Sequence, residues 1–149
     1  MYTILLLLHS WLRWLVLGSG LWAIFRAYNG MTSGRAYDKT DKTAGTVFLS
    51  SLHSQLLIGI VLAFFSPFVN GNMSVSMKDP SLRFWTVEHW FIMLIGIAVA
   101  QIGSIKAKKM ADDTTRHRTL LIWFGIGFAI ILFGVFYTVS SQGRPWMRF

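Results

Sequence analysis

The chain has 149 residues, of which 54% are hydrophobic and only 13% are charged, and its mean hydropathy is +0.51. A soluble domain of this size is normally less apolar and more charged, so the composition indicates a membrane protein. The sequence has no cysteine, which excludes disulfides, Cys-ligated zinc or iron–sulfur sites, a thiolate nucleophile and covalent haem attachment. A protein-bound metal would therefore use histidine or carboxylate ligands.

Four apolar runs are each long enough to cross a membrane, which takes about 20 helical residues. They cover residues 2–25, 46–68, 84–105 and 119–139. We therefore predict an all-α, four-helix transmembrane bundle, formed by residues 1–149 as a single domain, with helices at about 2–26, 46–68, 82–107 and 117–140. The first run lacks a basic leader and a small-residue cleavage pattern, so we expect it to be a retained span.

The positive charges, which give the chain a net charge of +8, lie mostly on one side of the predicted bundle. Nine basic residues lie on the side with the first and third loops, namely Arg26, Arg35, Lys39, Lys42, Lys106, Lys108, Lys109, Arg116 and Arg118. Four lie on the side with the second loop and the chain termini, namely Lys78, Arg83, Arg144 and Arg148. The positive-inside rule then places both termini outside, in the periplasm, for a multi-pass protein of the bacterial cytoplasmic (inner) membrane. We interpret the basic charge as a topology signal, and we expect the chain to contact membrane lipid and not to bind nucleic acid.

Each predicted helix contains or adjoins one histidine, and an ionisable side chain inside a span costs about 2.5–3.5 kcal/mol near its centre. His9 and His89 each lie five residues from the outer end of a run, counted from Ile4 and from Phe84, which is about 7.5 Å along a helix. Because the first and third helices run in the same direction, the two imidazoles are expected at one level. They could then face each other across the bundle as the two axial ligands of one haem.

Two arginines near these histidines are candidates for binding haem propionates. Arg13 follows His9 by one helical turn on the same face, and Arg83 lies at the membrane interface before His89. As alternatives, Arg13 snorkels to the surface or forms an intramembrane ion pair with Glu88.

Two glycines share a helical face with the histidines, Gly20 with His9 and Gly96 with His89. A flat macrocycle needs such gaps between helices, so we expect both glycines at the cofactor. The alternative is that they only allow the helices to approach closely, which is common in membrane bundles.

The other two histidines, His53 and His117, lie on the basic side of the membrane. They could ligate a second haem only if the fourth helix begins early, near Asp113. The alternatives are that His53 is a hydrogen-bonded core residue, or that it lines a quinone or proton site with Gln101, and that His117 belongs to an interfacial cationic cluster.

Several short stretches of the sequence resemble a known family: LHSWLRW at 8–14, SLH at 51–53, LRFWTVEH at 82–89 and RH at 116–117. They are similar to those of the small four-helix bacterial membrane proteins of the cytochrome b-like type and, more loosely, of bis-His b-type membrane cytochromes. The resemblance covers essentially the whole chain. It implies noncovalently bound haem b and electron transfer, with matching positions at His9, Arg13, His53, Glu88, His89 and His117.

We therefore expect a b-type cytochrome that carries electrons between the quinone pool and a redox partner or larger membrane complex, with a homodimer as a further alternative. No hydrolase or transferase motif occurs, so the expected role is an electron carrier or redox subunit. One alternative is a haem-free membrane subunit or assembly factor whose polar groups bond to neighbouring subunits. Another is a haem-free quinone-reactive subunit that uses His53, Glu88 and Gln101.

Overall fold

The computed structural model describes residues 1–67, 69, 73–143 and 145–146. All regular secondary structure in this part of the chain is helical, and it contains no β-strand. The helices are α1 (Tyr2–Ser33), α2 (Lys39–Phe65), α3 (Met73–Ser76), α4 (Pro80–Arg83), α5 (His89–Lys108) and α6 (Asp113–Gln142), with a π-helical turn at Phe84–Glu88 that joins α4 to α5.

Four of these segments are long and apolar enough to span a membrane, namely Tyr2–Ser33, Lys39–Phe65, Pro80–Lys108 and Asp113–Gln142. Their surfaces expose many large apolar side chains, as expected for contact with lipid. The prediction of four membrane-spanning helices is thus confirmed, and the chain is a multi-pass membrane protein.

The helices continue beyond the apolar runs at the end of the bundle that carries the first and third connections, hereafter the basic end. Gly34 ends α1 in the left-handed conformation, with φ 64°. The Asp38 carboxylate accepts a hydrogen bond from the Asp41 backbone N–H in a capping box at the start of α2. Asp112 caps α6 in a similar way. Helix one therefore reaches residue 33 where we predicted 26, and helices two and four begin at 39 and 113 where we predicted 46 and 117.

At the opposite end of the bundle, hereafter the terminal end, α2 stops at Phe65 with Ser66 as its C-cap. The predicted end of this helix at residue 68 lies outside the described residues. Arg144 and Arg148, two of the four basic residues counted on this side, also lie outside them.

The long helices pack as a four-membered bundle in which α1 contacts α2 and α6, and α5 packs mainly on α6. α2 and α5 share the smallest of the four interfaces, and α1 and α5 have no comparable contact with each other, so these two helices stand at opposite corners. Toward the basic end the interior is filled by aromatic rings: Phe48 packs edge-on against Phe124 at 5.3 Å, and against Phe128 at 6.3 Å. This dense packing leaves the interior space of the bundle nearer the terminal end.

Gly20 and Gly96 lie where helices approach each other, and the structure does not place them at a cofactor gap. A Cβ atom on Gly20 would lie 2.5 Å from Phe128 Cδ2 and 2.9 Å from Phe48 Cε2. One on Gly96 would lie 2.7 Å from Ile131 Cγ1. Neighbouring side chains already fill the space beside both glycines. The structure therefore favours the alternative, in which the glycines allow the helices to approach closely, over a role in cofactor binding.

This packing predicts opposite effects for two nearby glycines of α1. Gly20→Ala is expected to destabilise the protein by about 1–3 kcal/mol, because the added methyl group overpacks the aromatic core. Gly18→Ala is expected to stabilise it by about 0.5–1 kcal/mol, because nothing lies within 4 Å of the added atom. Thermal unfolding in detergent measures both, and equal shifts for the two variants would contradict the assignment.

Candidate functional site

The imidazoles of His9 and His89 face each other across the bundle. Their ring centroids are 6.4 Å apart, and the ring planes are inclined by 61°. The two side chains come from α1 and α5, the helices at opposite corners. When two imidazoles ligate one metal from opposite sides at about 2 Å each, their ring centres lie about 6 Å apart. The spacing therefore suits a pair of axial ligands.

These two rings border a cavity of about 160 Å³ that is lined by all four long helices. Its lining is mostly aliphatic and aromatic, with polar groups contributed by His9, Arg13, Gln55 and His89, among others. Gly59 on α2 also lines it, and a Cβ atom there would lie 3.3 Å from His9 Cε1. The cavity combines an apolar interior with a few convergent polar groups, which is typical of cofactor and small-molecule sites.

Three polar atoms of the residues that line this cavity are buried without a hydrogen-bond partner among the described residues: Nδ1 of His9, Nδ1 of His89 and Oε1 of Gln55. The amide nitrogen of Gln55 is held, because it donates to the His9 carbonyl oxygen at 2.9 Å. Each unsatisfied buried polar atom costs about 1–3 kcal/mol. Water or a bound ligand in the cavity could supply partners for these three atoms.

The protein alone does not complete a metal site here. In the described parts of the chain, no group of three or more His, Asp or Glu side chains lies close enough together to hold a metal ion. A structural zinc ion takes four protein ligands, whereas a haem iron needs only axial ligands because the macrocycle supplies the rest. A metal bound by His9 and His89 would take its other ligands from groups such as water or a macrocycle.

The π-helical turn before His89 determines which side chains support it. Residues five apart in an α-helix lie about 140° apart around the axis, but the wider π-turn brings them to the same side. The His89 backbone N–H donates to the Phe84 carbonyl oxygen, and the buried Phe84 ring lies 5.7 Å from the His89 ring. The Trp85 ring is 5.6 Å from the same imidazole. The Phe84 and Trp85 rings, 4.9 Å apart, therefore form a cluster against which the His89 ring packs.

The same turn explains the position of Arg83. Its Nε donates to Glu88 Oε1 at 2.7 Å, again across five residues. Arg83 is partly exposed and is not part of the cavity lining. The structure thus pairs Arg83 with Glu88 and does not place its guanidinium in the cavity, where a propionate partner was expected.

Arg13 does line the cavity, as expected from its place one turn after His9. Its Nη2 donates to the backbone carbonyl oxygen of Trp146, and its guanidinium lies 5.9 Å from the centre of the Trp14 ring. Pro145 also borders the cavity. Trp146 and Pro145 therefore meet Arg13 at the terminal end of the cavity, and the guanidinium brings a positive charge to its lining.

The structure does not bring His53 and His117 together. His117 is fully buried, with Nε2 3.9 Å from Asp41 Oδ2. Asp41 precedes His53 by 12 residues on α2, which corresponds to about 18 Å, and His53 faces outward. The second haem site is therefore absent from the described arrangement, although α6 does begin at Asp113 as that site required.

The residues of the expected quinone site are also apart. Glu88 and Gln101 belong to one continuous helical segment and are 13 residues apart, or about 20 Å, and His53 lies on the outer face of α2. They cannot contact one small molecule together.

At the basic end, Asp41 joins three segments of the chain. Its carboxylate accepts hydrogen bonds from Arg26 Nε at 2.8 Å and from Arg35 Nη1 at 2.7 Å. The hydrogen bond to Asp41 raises the pKa of Arg35 above its usual value. The Asp41 backbone N–H, by donating to the Asp38 carboxylate, lowers the pKa of Asp38. This network connects α1 to the start of α2 and lies beside the buried His117.

Sequence reasoning singled out His9, Arg13 and His89, which the structure places at one cavity, but it gave no role there to Gln55 or Gly59. A polar amide within an apolar run is the signal that could have identified Gln55. Comparison of the chain with protein-family models, curated proteins and solved structures gives no match. The structure itself brings two opposed imidazoles and one arginine to the lining of one apolar cavity.

Proposed function

We propose that this protein is a b-type cytochrome of the bacterial cytoplasmic membrane that binds one haem b between His9 and His89 and transfers electrons. The observation that carries the proposal is the opposed pair of imidazoles, with centroids 6.4 Å apart, at an apolar cavity. The mostly apolar lining beside both rings adds support, because the haem macrocycle is largely apolar. So does the lack of a third protein ligand among the described residues, because haem needs none.

The residues of the cavity have distinct roles in this proposal. His9 and His89, as neutral imidazoles, would be the axial ligands, and Phe84 and Trp85 keep the His89 ring in place. Arg13 would bind an acidic substituent of the cofactor through a charge-assisted hydrogen bond. Haem supplies reversible one-electron chemistry when bound, and the surrounding apolar side chains influence its potential.

The proposal is for one haem and not two, because the fully buried His117 packs against Asp41 while His53 faces outward. The proposed orientation has both termini in the periplasm, since the basic end carries nine of the Lys and Arg residues. The cavity then lies in the outer half of the membrane. The proposed electron donor and acceptor are the quinone pool and a partner redox protein or larger complex at that side.

A haem-free membrane subunit or assembly factor is the second candidate. The observation that favours it is the exposed side chain of His53 within the apolar run of α2, where a neighbouring subunit could supply a hydrogen-bond partner. This candidate predicts a colourless protein that tolerates replacement of His9.

The test is purification from haem-replete cells in a mild detergent, followed by oxidised and dithionite-reduced absorption spectra and haem quantification. We expect a sharp reduced α band and one haem per chain. A colourless protein would overturn the proposal, and quinone-dependent protection against unfolding of that colourless protein would favour a quinone-reactive subunit. Two haems per chain would contradict the single site.

A further inference from the structure

The largest excess of positive charge at the basic end lies where α5 is joined to α6. Residues 106–118 contain five Lys or Arg and two Asp, which leaves a formal net charge of +3. All of these basic side chains are exposed except that of Arg116, which is partly exposed. We define the α5–α6 cluster as these five residues, namely Lys106, Lys108, Lys109, Arg116 and Arg118.

The α5–α6 cluster lacks the carboxylate partners that other cations of the basic end have. Near the connection between α1 and α2, Arg26 and Arg35 each pair with both Asp38 and Asp41. Within the described part of the chain, no member of the cluster forms an ion pair. The nearby Asp112 carboxylate instead accepts hydrogen bonds from the backbone N–H and the hydroxyl group of Thr115. The charges of the cluster are therefore open to an anion from outside the chain.

The cluster lies at the depth of the lipid headgroups. The third apolar run ends at residue 105 and the fourth begins at residue 119, so Lys106 and Arg118 are the first residues beyond the hydrocarbon core on α5 and α6. Lys109 lies three residues farther out, which is about 4.5 Å along a helix. The headgroup layer on each side of a bilayer is about 5–7 Å thick. Exposed cations at this level meet the phosphate groups of lipids.

Lys106 is held in place before any lipid binds. Its Nζ lies 4.4 Å from the centre of the Trp123 ring, a cation–π contact between α5 and α6. A Cβ atom on Gly103 would overlap Trp123 Cβ, so the absence of a side chain there lets the α5 backbone lie directly against Trp123. An ammonium group has three donors, and the ring face leaves some of them to a phosphate group. Because the side chain is already ordered, binding costs less conformational entropy.

We propose that the α5–α6 cluster is a binding surface for anionic phospholipid headgroups, and that Lys106 binds the lipid phosphate. The chain spans the membrane, so lipid headgroups surround this end of the bundle in any case. Phosphatidylglycerol carries a net negative charge, whereas phosphatidylcholine carries the same phosphate but no net charge. The uncompensated positive charge of the cluster therefore favours the first lipid over the second. This surface lies apart from the cavity and does not depend on the cofactor proposed there.

The test is native mass spectrometry of the full chain, released from a nonionic detergent that contains equal amounts of phosphatidylglycerol and phosphatidylcholine. The ratio of the two bound lipids measures the preference, and we expect the wild-type protein to favour phosphatidylglycerol. Lys106→Gln is expected to lower this ratio about fivefold, the effect of one basic residue near an anionic lipid surface. Lys106→Arg keeps both the charge and the ring contact, so it should retain the preference.

The matched control is Lys78→Gln, which removes an exposed lysine at the terminal end, where Asp79 adjoins it. It is expected to leave the ratio unchanged. Equal binding of the two lipids by the wild-type protein would overturn the proposal, and so would equal losses in Lys78→Gln and Lys106→Gln. Displacement of phosphatidylglycerol by inorganic phosphate at the same concentration would also overturn it, because the cluster would then bind a soluble anion.

A second variant, Lys109→Gln, removes a charge of the cluster and leaves the contact between Lys106 and Trp123 intact. It is expected to lower the ratio as well, so the proposal stays testable if Lys106→Gln does not fold. An unchanged ratio in Lys109→Gln would contradict a shared binding surface. Haem content, recorded on the same samples, reports on the cavity and not on this surface.

Discussion

Alanine in place of His9 or His89 is expected to lower the haem retained per purified chain at least about tenfold. Changes in residues that merely orient a metal ligand already cost about 10–100-fold in metal affinity or activity, and these variants remove the ligand itself. The two variants should behave alike, because each ring contributes one side of the same pair. Haem quantification of the purified variants, with helix content measured by circular dichroism, checks the expectation.

His53→Ala is the matched control, since it also removes a histidine from a membrane-spanning helix but lies on the outer face of α2. It is expected to retain the full haem content. Retention of haem with an unchanged spectrum in both His9→Ala and His89→Ala would contradict the assignment of the ligands. Loss of haem in His53→Ala would contradict the outward position of that side chain.

A ligand exchange separates ligation from a purely structural role. His9→Met is expected to retain haem and to raise its reduction potential, because methionine in place of one histidine ligand raises the potential of a haem iron. A redox titration of the purified variant measures the shift. If His9 only filled space, the methionine variant would leave the potential unchanged.

The sequence allowed the number of helices and the level of two histidines to be predicted, for simple physical reasons. Hydropathy identifies the part of each helix that contacts lipid, but not the polar turns that continue it, such as those capped by Asp38 and Asp112. The rise per residue of a helix sets the depth of His9 and His89, because both helices run the same way from the same end. The structure accordingly brings these two imidazoles to one cavity.

The rotation of each helix about its own axis, which sets the side chains that face the core, could not be predicted in the same way. It decides that His53 faces outward while its neighbours Ser51 and Leu52 are buried, and that the flanks of Gly20 and Gly96 are filled by core side chains. The π-turn at Phe84–Glu88 changes the register within one helix, and no hydropathy pattern reveals it. This change directs Arg83 to Glu88 and Phe84 to His89.

Asp41→Asn is expected to destabilise the protein by about 1–3 kcal/mol, although the replacement has nearly the same shape. The carboxylate is 4% exposed and accepts hydrogen bonds from Arg26 and Arg35, whose side chains are only 24% and 27% exposed. Without the Asp41 charge, Arg26 and Arg35 keep only their ion pairs with Asp38, whose side chain is 47% exposed. Loss of a buried charge partner costs more than the net stabilisation that the pair provides. Reversible unfolding in mixed detergent micelles measures the change in free energy.

Asp38→Asn is the matched control, because it makes the same chemical change three residues away and in the same arginine network. The Asp38 side chain is 47% exposed, so water takes the place of the lost charge interactions. Asparagine is as good an N-cap as aspartate, so the start of α2 is retained. We therefore expect a much smaller loss of stability than for Asp41→Asn. Equal losses would mean that the two carboxylates hold the arginines jointly, and that burial of Asp41 is not what fixes α1 against α2 at the basic end.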